Sequence, residues 1–423
     1  MPVSATSAMP AQHLISADDA LARILAGVPR LPAVDVPILD ALGLVLAEDV
    51  AADADVPPFR NSAMDGYAVR GADVTAAPVR LRVVGDIPAG AYPDRAVGPG
   101  EAMRIMTGAA MPDGADTVVR VEDTDNATGV VTITAATRAG TSVRQAGEDL
   151  RAGDVVLRTG TVLRAAEIGL LASLGRARVR AHKRPRVAVL STGDEVVDVG
   201  LPLGPGQIRD SNRYSLASAV RAAGAEPWVR GIVRDTPDAL REALREAVAA
   251  DAIVTSGGVS VGDHDHVKPV VSEMGTIDLW AIAIRPGRPL AFGELRDPGR
   301  SPMEQARRVP IFGLPGNTVS SLLTFELFVR PALLRMQGRE HVTRPRATAR
   351  LLDPVEKPAF LRFFARGIHD PAAGTVRTTG PQGSGILRSM SLANCLIDLP
   401  EGRAAWASGD TVEVILTDQP EPR

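Results

Sequence analysis

A single cysteine, Cys395, stands in 423 residues, so no intrachain disulfide and no all-cysteine metal site can form. Such cysteine usage suits a reducing cytoplasm. Aromatic residues make up only 3%, which leaves few platforms on which bases or sugars could stack. With 47 basic and 50 acidic side chains the formal charge is −3, and no basic excess is available to grip a nucleic-acid backbone. No run approaches the roughly 18 uninterrupted apolar residues of a membrane span. Residues 1–14 have neither the basic start nor the apolar core of an export signal. These absences predict a soluble, unexported, cytoplasmic protein with no nucleic-acid and no membrane partner, acting on a small molecule.

Glycine and proline are plentiful instead, at 40 and 33 residues. The chain must turn often, and few long helices are expected. Its length implies roughly three domains of ordinary size. No internal repeat or low-complexity tract is present.

Ser16 can cap a helix over 17–26, where Leu21, Ile24, Leu25 and Val28 share one face at helical spacing. A short apolar stretch follows at 36–47. From 56 to about 145, valine-rich runs at 79–84, 117–121 and 130–134 alternate with Pro-Gly-Asp turns, the pattern of a small β domain. A helix at 165–174, stopped by Gly175, could pack with the N-terminal helix and make the first domain discontinuous.

From Arg186 strand and helix patterns alternate, which predicts an α/β domain with a parallel-rich sheet and helices on both faces. Strands are expected at 187–190, 228–233, 252–255, 277–284, 290–293 and 309–313. Helices are expected from Asp210 or Ser211 to 223, from Thr236 and Pro237 to 250, and from 318 to 336, the last kinked at Pro331. Residues 294–308 read as an exposed polar loop. Short runs at 347–352, 362–368, 375–379, 395–399 and 411–416 then predict a small β barrel or sandwich.

The most informative stretch is Thr255-Ser-Gly-Gly-Val-Ser-Val-Gly-Asp-His-Asp-His-Val-Lys268, which follows the apolar run Ala252-Ile253-Val254. A strand that runs into adjacent glycines exposes backbone N–H groups to an oxyanion, because no Cβ stands in the way. Gly257 and Gly262 have P-loop spacing, but Asp263 occupies the place of the phosphate-binding lysine, which disfavours a Walker-type triphosphatase. A divalent cation between carboxylate and phosphate would remove the repulsion, and oxygen ligands suit Mg²⁺. The plainer reading of this stretch alone is a glycine turn with solvated aspartates.

Open α/β sheets bind ligands beyond the carboxyl ends of their strands. Four such ends converge here: Ser191-Thr-Gly-Asp-Glu195, Arg234-Asp235, the stretch after Thr255, and Gly313-Leu-Pro-Gly-Asn317. Ser191, Thr192, Gly193, Ser256, Gly257, Gly258 and Ser260 suit phosphate oxygens, while Glu195, Asp235, Asp263 and Asp265 suit magnesium. Asp194 or Asp235, taken alone, reads more readily as an N-cap of the next helix, and the convergence of four loops is what favours a ligand role. Arg285 and Arg288, on the stiff loop Ile284-Arg-Pro-Gly-Arg-Pro289, carry guanidinium forks that match oxyanions. Zinc at His264 and His266 is disfavoured, since i, i+2 side chains point apart on extended chain. A second cluster lies in the β region, with Asp65 at an Asp-Gly turn and the hydroxyl of Thr107 at another turn. Spacing alone does not link it to the first.

Taken together, Asn61-Ser-Ala-Met-Asp-Gly-Tyr-Ala-Val69, Arg104-Ile-Met-Thr-Gly108, Gly147-Glu-Asp149, Ser191-Thr-Gly-Asp-Glu195, Gly257-Gly-Val-Ser-Val-Gly262, Arg285-Pro-Gly-Arg-Pro289, Gly313-Leu-Pro-Gly-Asn317 and Gln382-Gly-Ser384 resemble the MoeA and gephyrin E-domain family of molybdopterin molybdenumtransferases. These segments occur in the family's order over nearly the whole chain. The resemblance implies four domains: 1–52 with 146–182 for linkage and dimerisation, an inserted β domain at 53–145, a molybdopterin-binding-like α/β domain at 183–337, and a β barrel at 338–423. It implies a homodimer whose active cleft is shared, the α/β domain of one subunit facing the β domain of the other. The implied reaction takes adenylylated molybdopterin and molybdate, uses Mg²⁺, releases AMP and leaves molybdenum on the dithiolene. A molybdopterin adenylyltransferase and recipient molybdoenzymes are the implied partners.

Carried over, the family's functional positions fall on Asp65, Thr107, Glu195, Asp235, Asp265 and Pro315. Glu195, Asp235 and Asp265 are assigned to magnesium, and Asp65 and Thr107 to the partner subunit's contribution. Asp194, Gly316, Asn317 and Ser384 join the groups expected to bind the cofactor. Arg285 and Arg288 replace lysines common in the family, Ala281 replaces another, and Thr318 replaces a proline. Ala281 raises the alternative of a tungstate preference. A non-catalytic scaffold and an adenylyltransferase or nucleotide pyrophosphatase on the same α/β domain are the competing functions.

Overall fold

The computed structural model describes residues 14–258, 266–297 and 307–418, and the chain divides into two units. Residues 36–42 and 48–179 form the smaller; those up to 35, 43–47 and from 180 onward form the larger. Helix α1 (Ala17–Gly27) belongs to the larger unit. Ser16 caps it as expected, its Oγ accepting from the Asp19 N–H at 3.0 Å, and Ala20 and Ile24 are buried.

In the smaller unit β1 (Gly66–Val69), β2 (Val79–Ile87), β3 (Glu101–Ile105), β4 (Thr117–Arg120) and β5 (Val130–Ile133) form one sheet in the order β4-β1-β3-β2-β5. Only β2 and β3 are parallel. Alternate residues enter separate cores: Ala68, Met103, Ile105 and Val118 lie in one, and Tyr67, Val69, Leu81 and Val119 in the other. The period of two therefore covers both faces. Helix α2 (Ala165–Ser173) also lies in this unit and is followed by Gly175, whose φ is +73°.

The larger unit continues with β6 (Arg186–Thr192), α3 (Ser211–Ala222), β7 (Glu226–Val233), α4 (Pro237–Ala247), β8 (Ala252–Ser256), α5 (Val267–Met274), β9 (Gly275–Ile282), β10 (Pro289–Asp297) and β11 (Arg307–Leu314). A two-residue strand, Leu14–Ile15, joins them in a seven-stranded sheet in which it precedes β9-β10-β11-β8-β6-β7. The apolar runs are continuous because both faces are covered. Val187, Val189 and Val254 enter the core beneath α1 and α3, while Ala188, Leu190 and Ile253 enter the one beneath α4 and α5. Burying each such valine, leucine or isoleucine contributes roughly 1.5–3 kcal/mol.

The sheet is parallel-rich but mixed, since β9, β10 and β11 pair antiparallel. The expected loop over 294–308 is shorter than the sequence pattern predicts. Strand β10 extends to Asp297, and β11 starts at Arg307 as its ladder partner. Ion pairs hold these ends, Arg308 to Glu294 at 3.1 Å and Arg307 to Asp297 at 2.8 Å, so they carry little hydrophobic signal. Helix α5 has no counterpart in the sequence pattern; it begins at Val267, inside the stretch 255–268.

The predicted helix at 318–336 is three segments: α6 (Thr318–Thr324), a π turn (Phe325–Val329) and α7 (Arg330–Met336). The Arg330 N–H donates to the Phe325 carbonyl, a wide turn set immediately before Pro331. The extra residue in that turn accommodates a ring that clashes with the preceding turn of a regular helix.

Beyond it, β12 (Arg346–Leu351), β13 (Arg362–Asp370), β14 (Thr375–Thr378), α8 (Leu387–Leu392), β15 (Cys395–Leu399) and β16 (Thr411–Leu416) complete the chain. The strands close in the ring β13-β14-β12-β16-β15-β13, which resolves the choice between barrel and sandwich in favour of the barrel. Phe363, Ala365, Val376 and Ile397 fill its interior. Phe364, Leu396 and Ile415 point outward into the core of the seven-stranded sheet. Among the described residues no helix is long and apolar enough to cross a membrane.

Candidate active site

The carboxyl ends of β6, β7, β8 and β11 open onto one cleft of about 360 Å³. Ser191, Thr192, Gly193, Glu195, Asp235, Ser256, Gly257, Gly258, Pro315, Gly316 and Asn317 all line it. The four loops expected to converge do so. Ser260 and Asp265 lie outside the described residues.

Two glycines explain how these loops come so close. Gly257 has φ +92°, and a Cβ there would stand 2.9 Å from both the Thr192 carbonyl oxygen and its Oγ1. Gly193 has φ +136°, and its Cβ would meet the Glu195 carboxylate at 2.7 Å. Both need a left-handed backbone, and at Gly257 the Thr192 main chain also leaves no room for a Cβ, so glycine is the residue that fits. A Cβ at Gly316 would stand 3.9 Å from the Gly257 α-carbon, which places the β8 and β11 turns side by side.

The acids divide by role. Asp194 accepts from the Asp235 main-chain N–H at 3.3 Å and so ties the β6 loop to the β7 loop; it does not line the cleft. Thr236 caps α4 through its Oγ1, 3.4 Å from the Ala239 nitrogen, so Asp235 is not the cap. Asp210 is the cap of α3 and is buried; it also accepts from the Ser191 hydroxyl at 3.1 Å. That bond directs the Ser191 proton away from any phosphate oxygen.

Arg285, Arg288 and Ser384 lie outside the lining of this cleft. Arg285 is exposed, its guanidinium 5.3 Å from the Phe363 ring centre; Arg288 stands 6.0 Å from that of Phe360. Both rings belong to the barrel region, and with them appears a residue that sequence reasoning missed. Arg366, in β13, is fully buried and has no carboxylate partner among the described residues. Its Nε donates to Ser389 Oγ at 3.1 Å and its Nη2 to the Gly383 carbonyl at 3.2 Å. Its Nη1 has no acceptor among the described residues. Burial, and then the neighbouring charge of Arg285, push the guanidinium down to about 10.

The Gln382-Gly-Ser384 segment wraps this arginine. Gln382 Oε1 accepts from the Arg366 main-chain N–H at 2.8 Å, and the Ser384 carbonyl accepts from Val319 N at 3.0 Å in the first turn of α6. A buried cation therefore sits beside the loop that follows β11. Its signal in the sequence was an arginine within the otherwise apolar run Phe363-Phe-Ala-Arg-Gly-Ile368. Ala281 lies in the ladder of β9, paired with Leu14 and Pro289, and Thr318 lines the cleft at the start of α6.

Asp65 and Thr107 form a pair in the smaller unit. Both are exposed, and Asp65 Oδ1 accepts from the Thr107 N–H and from its hydroxyl, each at 2.7 Å. The main-chain bond, then the hydroxyl bond, hold the Asp65 carboxyl below the usual carboxylate range.

Three family models match in order: the MoeA N-terminal region (domain I and II) over residues 15–175, a probable molybdopterin binding domain over 188–335, and the MoeA C-terminal region (domain IV) over 348–417. Molybdopterin molybdenumtransferase 2 of Mycobacterium tuberculosis is 41% identical over 392 residues, covering 90% of this chain and 94% of the relative. Molybdopterin molybdenumtransferase of a Nostoc species is 39% identical over 403 residues, covering 92% and 90%. The crystal structure of a molybdopterin biosynthesis MoeA protein from Pyrococcus horikoshii superposes with a TM-score of 0.78 at 33% identity, covering 96% of this chain and 99% of that one. Matched along most of its length by sequence and by structure, the chain belongs to the MoeA family of molybdopterin molybdenumtransferases.

Proposed function

We propose that the chain acts in molybdenum cofactor biosynthesis as a molybdopterin molybdenumtransferase. It takes adenylylated molybdopterin and molybdate, cleaves the pyrophosphate link, releases AMP and leaves molybdenum on the dithiolene. The observation that carries this reading is the cleft itself, where glycine turns suited to oxyanions and two carboxylates, Glu195 and Asp235, share one lining.

In this reading Glu195 and Asp235, with Asp265 as the third acid, would hold Mg²⁺. No group of three such ligands lies among the described residues. Two carboxylates nonetheless fit magnesium, which is commonly held by one or two of them and completed by substrate phosphates and water. Held there, Mg²⁺ would supply charge neutralisation for the pyrophosphate and polarisation of the bond to be broken. The protein's own contribution is to hold the phosphates against the Gly257–Gly258 and Pro315–Asn317 turns and to keep them oriented.

Molybdate is a second oxyanion and suits the guanidinium groups nearby. Arg366 Nη1, buried and without a protein acceptor among the described residues, is a donor that an oxyanion would satisfy, with Arg285 adding charge. In the same reading the protein is a cytoplasmic homodimer, and the second subunit's Asp65 and Thr107 complete the cleft. A molybdopterin adenylyltransferase supplies its substrate, and molybdoenzymes receive its product.

The test is AMP release from adenylylated molybdopterin by purified protein with molybdate and Mg²⁺. Glu195→Gln and Asp235→Asn should each slow release by about 10²-fold or more while the fold is kept. Release at the wild-type rate by both variants, or release indifferent to magnesium, would reject the reading.

A further inference from the structure

Asn212, which no motif singled out, lines the cleft from the first turn of α3. Its Nδ2 donates to Ser256 Oγ at 2.7 Å and to the Gly316 carbonyl at 2.7 Å. A carbonyl oxygen can only accept, so the bond to Gly316 fixes which way the amide faces. The arrangement has a cost. Asn212 Oδ1 is buried without a donor among the described residues, and an orphaned buried acceptor destabilises a fold unless something is gained by it.

What is gained is the polarity of a hydroxyl. Ser256 Oγ accepts from the Asn212 amide, and no described residue takes the serine's own proton. Ser256 is buried to 3% exposure at the end of β8 and lines the cleft, so that proton is left for whatever occupies the cleft. Its ladder neighbour on β6, Ser191, is set the opposite way, donating to Asp210. Two serines side by side thus present a donor and an acceptor.

We infer that Asn212 is a positioning residue that presets the Ser256 hydroxyl as a donor to a phosphoryl oxygen of the ligand. This rests on the reading that the cleft takes a phosphoryl group. A hydrogen bond to an anionic oxygen is worth about 1.5–3 kcal/mol, which corresponds to roughly 10- to 150-fold in affinity. Ser256→Ala should therefore weaken AMP binding by about 10-fold or more. Asn212→Ala frees the hydroxyl to rotate and should weaken binding by up to about 10-fold.

The deciding measurement is a double-mutant cycle on AMP affinity, by calorimetry with Mg²⁺ present, alongside unliganded melting temperatures. The double variant should bind AMP as Ser256→Ala does, within about twofold, because Asn212 acts through the serine. If the Asn212→Ala loss persists in full in the Ser256→Ala background, the amide acts through Gly316 alone and the assignment falls. Wild-type affinity in Asn212→Ala would also overturn it. A wild-type protein that binds neither AMP nor inorganic pyrophosphate would defeat the phosphoryl reading itself, and this inference with it.

Discussion

The Asp65 and Thr107 pair shows how a turn tunes a single exposed acid. Two hydrogen bonds to one oxygen favour the charged form, so the folded carboxyl titrates below its unfolded value. The sign follows: the folded chain binds fewer protons, so the pair stabilises the fold above the ordinary carboxylate range and loses that contribution as pH falls through the folded value. Thr107→Val removes the hydroxyl donor and keeps the main-chain one. A carboxyl carbon NMR titration should show the Asp65 midpoint rising in that variant while remaining below an unperturbed aspartate. An unchanged midpoint would mean that the main-chain N–H alone holds the carboxylate.

Strand β13 makes the corresponding case for an element. It closes the barrel with Phe363 and Ala365 inward, yet it buries Arg366 without a counter-charge among the described residues. Taking a guanidinium out of water costs roughly several kcal/mol, and an apolar side chain in its place removes that penalty, which offsets the hydrogen bonds lost to Ser389 and Gly383. Arg366→Leu should therefore keep unliganded stability within about 2 kcal/mol of the parent. It should lose the stabilisation that saturating molybdate confers on the parent, about 2.7 kcal/mol at a hundred times the dissociation constant. Thermal melts with and without molybdate measure both quantities. A molybdate-induced rise retained in the variant would remove Arg366 from the oxyanion site.

That strand also marks where sequence stops being sufficient. The run 187–190 and the caps at Ser16 and Thr236 were legible because local chemistry decides them, through apolar continuity or a side chain facing its own helix. The ends of β10 and β11 were not, because Asp297, Arg307, Glu294 and Arg308 form the ladder through charge pairs that only the fold brings together. The cleft loops could be named from their glycines. Asn212 could not, and Arg366 left only the mark of an arginine in an apolar run, since each acts through partners between 16 and 104 residues away in the chain.

For the whole molecule, the proposed shared cleft makes a claim about two chains that single variants cannot reach. Asp65 and Thr107 lie in the smaller unit, and Glu195 and Asp235 line the cleft of the larger. If each cleft takes its aspartate pair from a second subunit, Asp65→Asn and Asp235→Asn are each inactive as homodimers but complementary in a mixture. A heterodimer then has one cleft with both defects and one with neither. Random exchange makes half of the dimers mixed, each with one of two clefts intact, so about a quarter of wild-type AMP release should return when equal amounts are refolded together. Activity that stays at the level of the separate variants, with mixed dimers present by mass, would mean that each cleft is completed by its own chain.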